Sequence, residues 1–428
     1  MKRYLSLAVA LTLAAATITY IALRSQNPVV DAGAPVQSQV FSVPEAVSSE
    51  PRAPVSLASS EGTRAVWINF YEMGELCRDK NADTYRAAVG ELLDKCAALG
   101  LNSVVVHVRS HSDAFYPSSL FPWSVQIAGT QGVGVDFDPL ALFIEEAHAR
   151  NITFHAWINP YRVLNPSNDP AALSDSNPAK QWLADDGGAS KGFVVVRSDG
   201  IYYNPAVPEV RKLIIDGVRE IVEHYDVDGV HFDDYFYPTD NEDFDQAFYA
   251  AYQSEAGEAA LPLDAWRRTQ TNLLISGVYS AVKQAKPDVL FGISPEASVE
   301  RNMTGCFADV ERWACEEGYV DYLCPQIYFG FDYPNEAYRF QALLDQWSGM
   351  ITCPSVALWV GLAPYKLGNT DAGSEEWIGT TDLLARQVGA LKDNGRCEGV
   401  VLYNASTLFA NTEQAAAERE SLKNSLSE

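Results

Sequence analysis

The stretch Val227-Asp-Gly-Val-His-Phe-Asp-Asp-Tyr-Phe-Tyr-Pro238 reads as a buried strand ending on two adjacent carboxylates, Asp233 and Asp234, followed by aromatics. Val230 and Phe232 favour a pleated strand, and Pro238 ends the pattern because it cannot donate to a ladder. Carboxylates at the C-terminal end of a parallel strand mark the working face of an α/β barrel. Aromatics beside them suit a sugar, with flat faces for the ring and charge for the glycosidic bond. A plainer reading has one aspartate capping the next turn and the other solvated. The same strand-end pattern recurs along the chain and weighs against it.

Working outward, eight apolar runs carry the strand signature: 64–70, 102–109, 152–160, 227–235, 289–295, 320–328, 355–361 and 399–404. Helical spacing fills the gaps at 84–99, 140–150, 209–224, 265–285, 336–347 and 382–394, with a short weak helix near 310–315 and a last one after Thr412. Asp83 is the expected cap of the first helix and Gly100 its stop. Eight β-α pairs with hydrophobic strands predict a closed (β/α)8 TIM barrel over residues 61–428. An open doubly wound sheet is the alternative, but no G-x-G-x-x-G follows the first strand. The length beyond the ~250 residues typical of this fold falls in three βα connections, 110–138, 161–207 and 236–263, on the face that shapes a substrate cleft.

The strand ends then supply one rim. In order they offer Trp67, Asn69 and Tyr71; His107, Arg109, Asp113 and Tyr116; Trp157, Asn159, Tyr161 and Arg162; His231, Asp233, Asp234 and Tyr235; Ser294 and Glu296; Gln326 and Tyr328; Trp359 and Tyr365; Tyr403 and Asn404. Amide, aromatic and carboxylate groups in a ring suit a neutral, hydroxyl-rich ligand. We expect Arg109, Asp113, Trp157, Asn159, Tyr161, Arg162, His231, Tyr235, Gln326, Tyr328, Trp359 and Tyr403 to bind it. Side chains two apart share a strand face, so His231 and Asp233 should both enter the mouth, with Asp234 turned outward unless the strand has already ended there. Glycoside hydrolysis uses two carboxyls, one kept protonated by burial or a nearby like charge. Asp233 or Asp234 supplies one. Glu296, at the end of the neighbouring strand, is the expected second, unless it merely pairs with Arg301. Asp228, at the start of its strand, reads as structural.

Composition narrows the partners. The 428-residue chain carries a formal charge of −25, which repels phosphate backbones and anionic lipid. Nucleic acid is therefore excluded as a partner. Lys2 and Arg3 precede an uncharged run from Tyr4 to Leu23, closed by Arg24. Residues 1–24 read as a signal peptide or signal anchor, the anchor favoured because the run is long enough to span a bilayer and shows no clear cleavage site. Everything after Arg24 would then lie outside the cytoplasm. Residues 25–60, rich in Pro, Ser, Ala and Val, read as a disordered tether. Seven cysteines include no C-x-x-C pair, so neither a thiolate zinc site nor a redox motif is expected. Cys353 and Cys397 are either a disulfide under the barrel or plain buried residues. The chemistry requires no cofactor and no metal.

From Arg64 to Phe409 the chain resembles the glycosyl-hydrolase-like family ten, extracytoplasmic glycosidases on a TIM barrel. The resemblance is carried by Arg64-Ala-Val-Trp-Ile-Asn69, Asp113-Ala-Phe-Tyr-Pro-Ser118, Phe121-Pro-Trp-Ser124, His155-Ala-Trp-Ile-Asn-Pro-Tyr-Arg162, Tyr203-Asn-Pro205, Asp228 to Pro238, Gly292-Ile-Ser-Pro295 and Pro325-Gln-Ile-Tyr328. It implies hydrolysis of a cell-envelope polysaccharide, peptidoglycan glycan strands stripped of peptides being a substrate class known in the family. One departure follows Ser294-Pro295. The family has a glycine-containing stretch leading to Trp-Arg-Asn, whereas this chain has Glu296-Ala-Ser-Val-Glu-Arg301-Asn302. A mechanism shared by the family would then rest on the strand-four aspartates, with Asp113 or the substrate's acetamido group. The aspartate motif also loosely resembles that of chitinases, without their acidic glutamate. Two rival readings remain: a metal-dependent polysaccharide deacetylase using Asp233 and Asp234 with His107 and His111, and a non-catalytic carbohydrate-binding wall protein.

Overall fold

The computed structural model describes Leu57 and residues 62–427 except 186 and 187. The anchor or signal segment and nearly all of the tether lie outside these residues. Leu57 is an exception: it is buried, and its N–H donates to Cys397 O at 2.9 Å, so the domain begins before residue 61. Among the described residues no helix is long and apolar enough to cross a membrane.

Eight parallel strands close into a barrel in sequence order: β1 (Thr63–Ile68), β2 (Ser103–Arg109), β3 (Thr153–Ile158), β4 (Gly229–Phe232), β5 (Leu290–Ile293), β6 (Tyr322–Leu323), β7 (Ala357–Leu362) and β8 (Cys397–Leu402), with β8 pairing back onto β1. One helix follows each strand in the outer ring: α1 (Ala82–Leu99), α2 (Pro139–His148), α3 (Pro208–His224), α4 (Leu263–Ala285), α5 (Val310–Cys315), α6 (Phe340–Met350), α7 (Leu383–Asn394) and α8 (Glu413–Ser427). The expected barrel is therefore the observed one. Strands four, five and six are shorter than expected. Pro295 and Pro325 cannot donate to the ladder. Their carbonyls still accept from Gln326 N at 3.0 Å and Gly361 N at 2.9 Å, so the sheet is interrupted there but keeps its register.

Local chemistry sets the helix ends. Asn81, not Asp83, caps α1, through a reciprocal pair with Thr84, and Gly100 closes the helix at φ 88°. Asp138 caps α2 ahead of Pro139. After β1 the chain turns at once into a short helix, Phe70–Cys77, because Asn69 accepts from Tyr71 N and Glu72 N.

Two layers of core hold the barrel. The inner one is unusually aromatic: Trp67, Trp157, Tyr322 and Trp359 fill the lumen beside Ala65, Val105 and Val401. The outer layer packs the opposite strand faces, such as Ile158, Phe232, Ile293 and Leu402, against the helices. The long connections are structured rather than loose. Residues 161–207 fold into a three-stranded antiparallel sheet of Arg162–Leu164, Gly200–Tyr203 and Val194–Arg197, plus the helix Pro178–Leu183. The connection after β4 carries the helix Gln246–Ala256. The Arg267–Asp245 ion pair (2.6 Å, both fully buried) ties it to α4, and Arg267 also donates to Asp240 O and Asn241 O. All seven cysteines are free thiols, so Cys353 and Cys397 are buried packing residues without a bridge.

Candidate active site

β4 ends at Phe232, and Asp233 and Asp234 leave it at the C-terminal mouth. Asp233 is buried, and its Oδ1 accepts from Tyr235 N at 3.1 Å. Burial, and then the Asp234 charge, hold its carboxyl well above the ordinary aspartate range, against the pull of Arg162 and the Tyr235 N–H. Asp234 is half-buried and faces the mouth, because the strand has already ended at Phe232, the case in which alternation does not turn it outward. Burial and then the Glu296 charge push its carboxyl up to about 6, with Gln326 and Arg162 opposing. The two aspartates form an interacting pair that retains a proton where isolated carboxyls have lost theirs.

Glu296 enters the same site from the end of β5, where its residue bridges to Gln326. Its two oxygens are engaged by the Arg301 guanidinium, Oε2 to Nε at 2.6 Å and Oε1 to Nη2 at 3.0 Å. The plainer reading of Glu296, a partner for Arg301, is thus the observed geometry. Its proximity to Asp234 survives as a charge effect. Arg162 projects from the small sheet, with its Cζ 3.7 Å from the centre of the Tyr235 ring.

Aromatics line the mouth. Trp157 stacks on His107 at 3.3 Å between centroids, and His107 Nε2 meets Asn159 Oδ1 at 3.1 Å. Trp67 lies 6.4 Å from Trp157, 6.0 Å from Tyr403 and 6.5 Å from Tyr328. Tyr328 and Tyr403 stack at 6.0 Å. Asn159 Nδ2, Arg162 Nε and Asp233 Oδ2 are buried without a hydrogen-bond partner among the described residues. Buried polar atoms in folded proteins are nearly always paired, so a cluster like this at a barrel mouth calls for groups brought by a ligand or water.

The structure thus gathers Asp233, Asp234, Glu296, Trp157, Asn159, Arg162, Tyr235, Gln326, Tyr328 and Tyr403. It removes five expected binding residues. Arg109 pairs with Ile158 after a register shift past His107, so it faces out, over Phe121 and against α3 at Gly217. Asp113 accepts from Val125 N and Gln131 Nε2 and braces its own loop. Tyr161 is fully buried in the outer core, under the charge of Arg211. His231 is fully buried, with Trp67 Nε1 donating to its Nε2 at 3.3 Å and Tyr322 Oη 2.9 Å from its Nδ1. It props Trp67 from below and has no nitrogen to spare for a ligand. Trp359 lies two residues into β7, stacked on Tyr322 at 3.7 Å. It lines a cavity of about 1220 Å3 at the opposite, N-terminal end, with Thr63, Thr153, His155 and Leu290. That end of a barrel serves stability, so the cavity is not read as the catalytic site.

Trp67, at the centre of the aromatic cluster, was missing from the expected binding set. Its place in β1, two residues before Asn69, was the available signal. The deacetylase reading loses its ligand set: His111 is engaged by Ser110 Oγ at 3.0 Å, and among the described residues no group of three or more His, Cys, Asp or Glu is placed to hold an ion.

Comparison with known proteins gives the family and the fold. The profile described as Glycosyl hydrolase-like 10 matches residues 62–379. Glycosyl hydrolase YngK of Bacillus subtilis (strain 168) is 39% identical over 295 residues, 65% of this chain and 56% of that protein, so the chain spans little over half the length of this relative. Glycosyl hydrolase DigH of Escherichia coli (strain K12) is 31% identical over 394 residues, covering 86% of this chain and 87% of the relative. Among solved structures, the PgaB (BpsB) glycoside hydrolase domain from Bordetella bronchiseptica has a TM-score of 0.55 at 14% identity, covering 84% of this chain and 98% of that one. The catalytic domain of beta-amylase from Paenibacillus polymyxa has a TM-score of 0.54 at 10% identity, covering 86% and 99%. These two likenesses concern the fold alone.

Proposed function

The chain belongs to the glycosyl hydrolase-like 10 family, and from that premise we propose that it hydrolyses glycosidic bonds in a cell-envelope polysaccharide, with peptide-free peptidoglycan strands as the substrate class. The observation that carries the reading is the Asp233–Asp234 pair at the end of β4, set among Trp157, Tyr403 and buried polar atoms that lack partners. Glycosidic cleavage needs a carboxyl that still holds its proton near neutral pH. Asp233, held well above the ordinary range by burial and by the Asp234 charge, fits the proton donor to the leaving oxygen. Asp234, the half-buried member, serves as the carboxylate that faces the anomeric carbon or the water that attacks it. Trp157 and Tyr403 stack on sugar faces, and Asn159, Gln326 and Tyr328 hold hydroxyl or acetamido groups. Glu296 acts through its charge on Asp234 rather than as the acid, since Arg301 engages both its oxygens. The charge pattern around Tyr4–Leu23 supports an extracytoplasmic location, anchored or secreted.

The test is mass spectrometry of products from purified peptidoglycan, with and without peptides. New reducing ends are expected from the peptide-free strands. Asp233→Asn should lower kcat by about 10²–10⁴-fold, the range for loss of a general acid. Glycan binding without turnover in the wild type would turn the assignment to a carbohydrate-binding protein.

A further inference from the structure

We propose that Arg162 is a receptor for a carboxylate carried by the sugar in the site, so that the enzyme selects glycans with an ionised acidic substituent. This rests on the glycosidase reading and gives its substrate a charge. The first observation is the isolation of the guanidinium. Arg162 Nε is buried and unpartnered, and the side chain makes no ion pair with a carboxylate among the described residues. The second is its placement. One face of the guanidinium is closed by the Tyr235 ring at 3.7 Å and the guanidinium donates a hydrogen bond to the Tyr235 hydroxyl, leaving the Nε edge as the recognition surface. Arg162 stands in a strand paired with Tyr202, so its backbone is fixed rather than borne on a free loop.

The neighbouring acids do not consume this charge. Glu296 is committed to Arg301. Asp233 and Asp234, the carboxyls nearest Arg162, both stay above the ordinary aspartate range despite it, so together they do not present two full negative charges. A planar guanidinium is the side chain suited to a carboxylate, which it meets with two parallel hydrogen bonds. The same chemistry comes from two sources: a lactyl ether freed of its peptide, or a uronic acid. In the first case peptide attachment converts the carboxylate to an amide and abolishes the contact.

The experiment uses the full chain with four glycans: peptide-free peptidoglycan strands, the same strands with carboxyls amidated by carbodiimide and methylamine, a polyuronate, and neutral chitin oligosaccharides. Turnover is read as reducing ends, and binding is read by calorimetry with Asp234→Asn. Amidation is expected to lower kcat/KM and affinity by about 10- to 100-fold, the scale of a hydrogen bond to a charged group. The loss should fall mainly in KM, and Arg162→Gln should bind native and amidated strands alike. Preference for the strands over the polyuronate identifies the lactyl carboxylate, and the reverse a uronic acid. Equal binding of native and amidated strands by Asp234→Asn would overturn the proposal. So would discrimination that persists in Arg162→Gln, which would leave Arg162 only a counter-charge for the aspartates. No turnover of any glycan, with discrimination in binding intact, would instead remove the hydrolase assignment and keep this one.

Discussion

Asp233 and Asp234 are neighbours in sequence yet occupy different environments. The strand ends at Phe232, so the two-residue alternation that sorts side chains no longer governs Asp234. Asp233 is sealed in and accepts from a backbone N–H, whereas Asp234 meets Glu296 and Gln326 across the mouth. The Glu296 charge helps keep the proton on Asp234. Glu296→Gln removes that charge, so the Asp234 value should fall below about 6, and the acid limb of the kcat–pH profile, set by the group that must be ionised, should move to lower pH. A limb that stays in place or moves up would separate Glu296 from Asp234. The same shift bears on stability. The folded value of about 6 lies above the ordinary 3.8, so the stability tied to the proton is complete below about pH 4 and is lost as pH rises through 6. Asp234→Asn carries no such loss. Its Tm relative to wild type should therefore climb between pH 4 and 7, a trend thermal melts would reveal.

Secondary structure was legible wherever punctuation was strong. Pro295 and Gly100 mark ends that the structure keeps, whereas Pro325 stops β6 inside the expected run 320–328. Two features had no such mark. The register shift between His107 and Arg109 re-aims Arg109 from the mouth to the outer wall, and a shift of that kind has no residue signature here. The antiparallel sheet in 161–207 consists of strands only three or four residues long, too short for a periodic signal. The connection after β4 depends on the clamp between Arg267 and Asp245. Arg267→Met leaves Asp245 buried without its partner and should cost roughly 3–5 kcal/mol in denaturant unfolding. Loss under 1 kcal/mol would mean the clamp does not hold the loop. Gly292, in β5, lies against the Tyr322 ring, where an added methyl would overlap it. Gly292→Ala should destabilise by about 1–3 kcal/mol, through overpacking rather than backbone strain.

The barrel separates its two ends. The mouth holds the acids and the unpartnered polar atoms, and the floor holds Trp359, Tyr322 and His155 above a cavity of about 1220 Å3. The overall charge of −25 acts on any acidic glycan before Arg162 does. Raising ionic strength from ~10 to ~150 mM shortens the screening length to about 8 Å, so kcat/KM for carboxylated strands should rise severalfold while that for neutral chitin oligosaccharides stays level. Stopped-flow or initial-rate series in salt would decide it, and a fall with salt would mean the mouth's own field dominates the approach. Strand order, the barrel and the identity of the acidic strand end followed from the chain alone, because alternating apolar runs admit few layered arrangements and carboxylates rarely end a buried strand without purpose. Which rim residues enter the mouth depended on strand ends, one register shift and loop folding that reach across the fold. Arg109, Asp113, Tyr161, His231 and Trp359 went elsewhere because long-range packing sets a side chain's direction, and spacing along the chain carries no record of it.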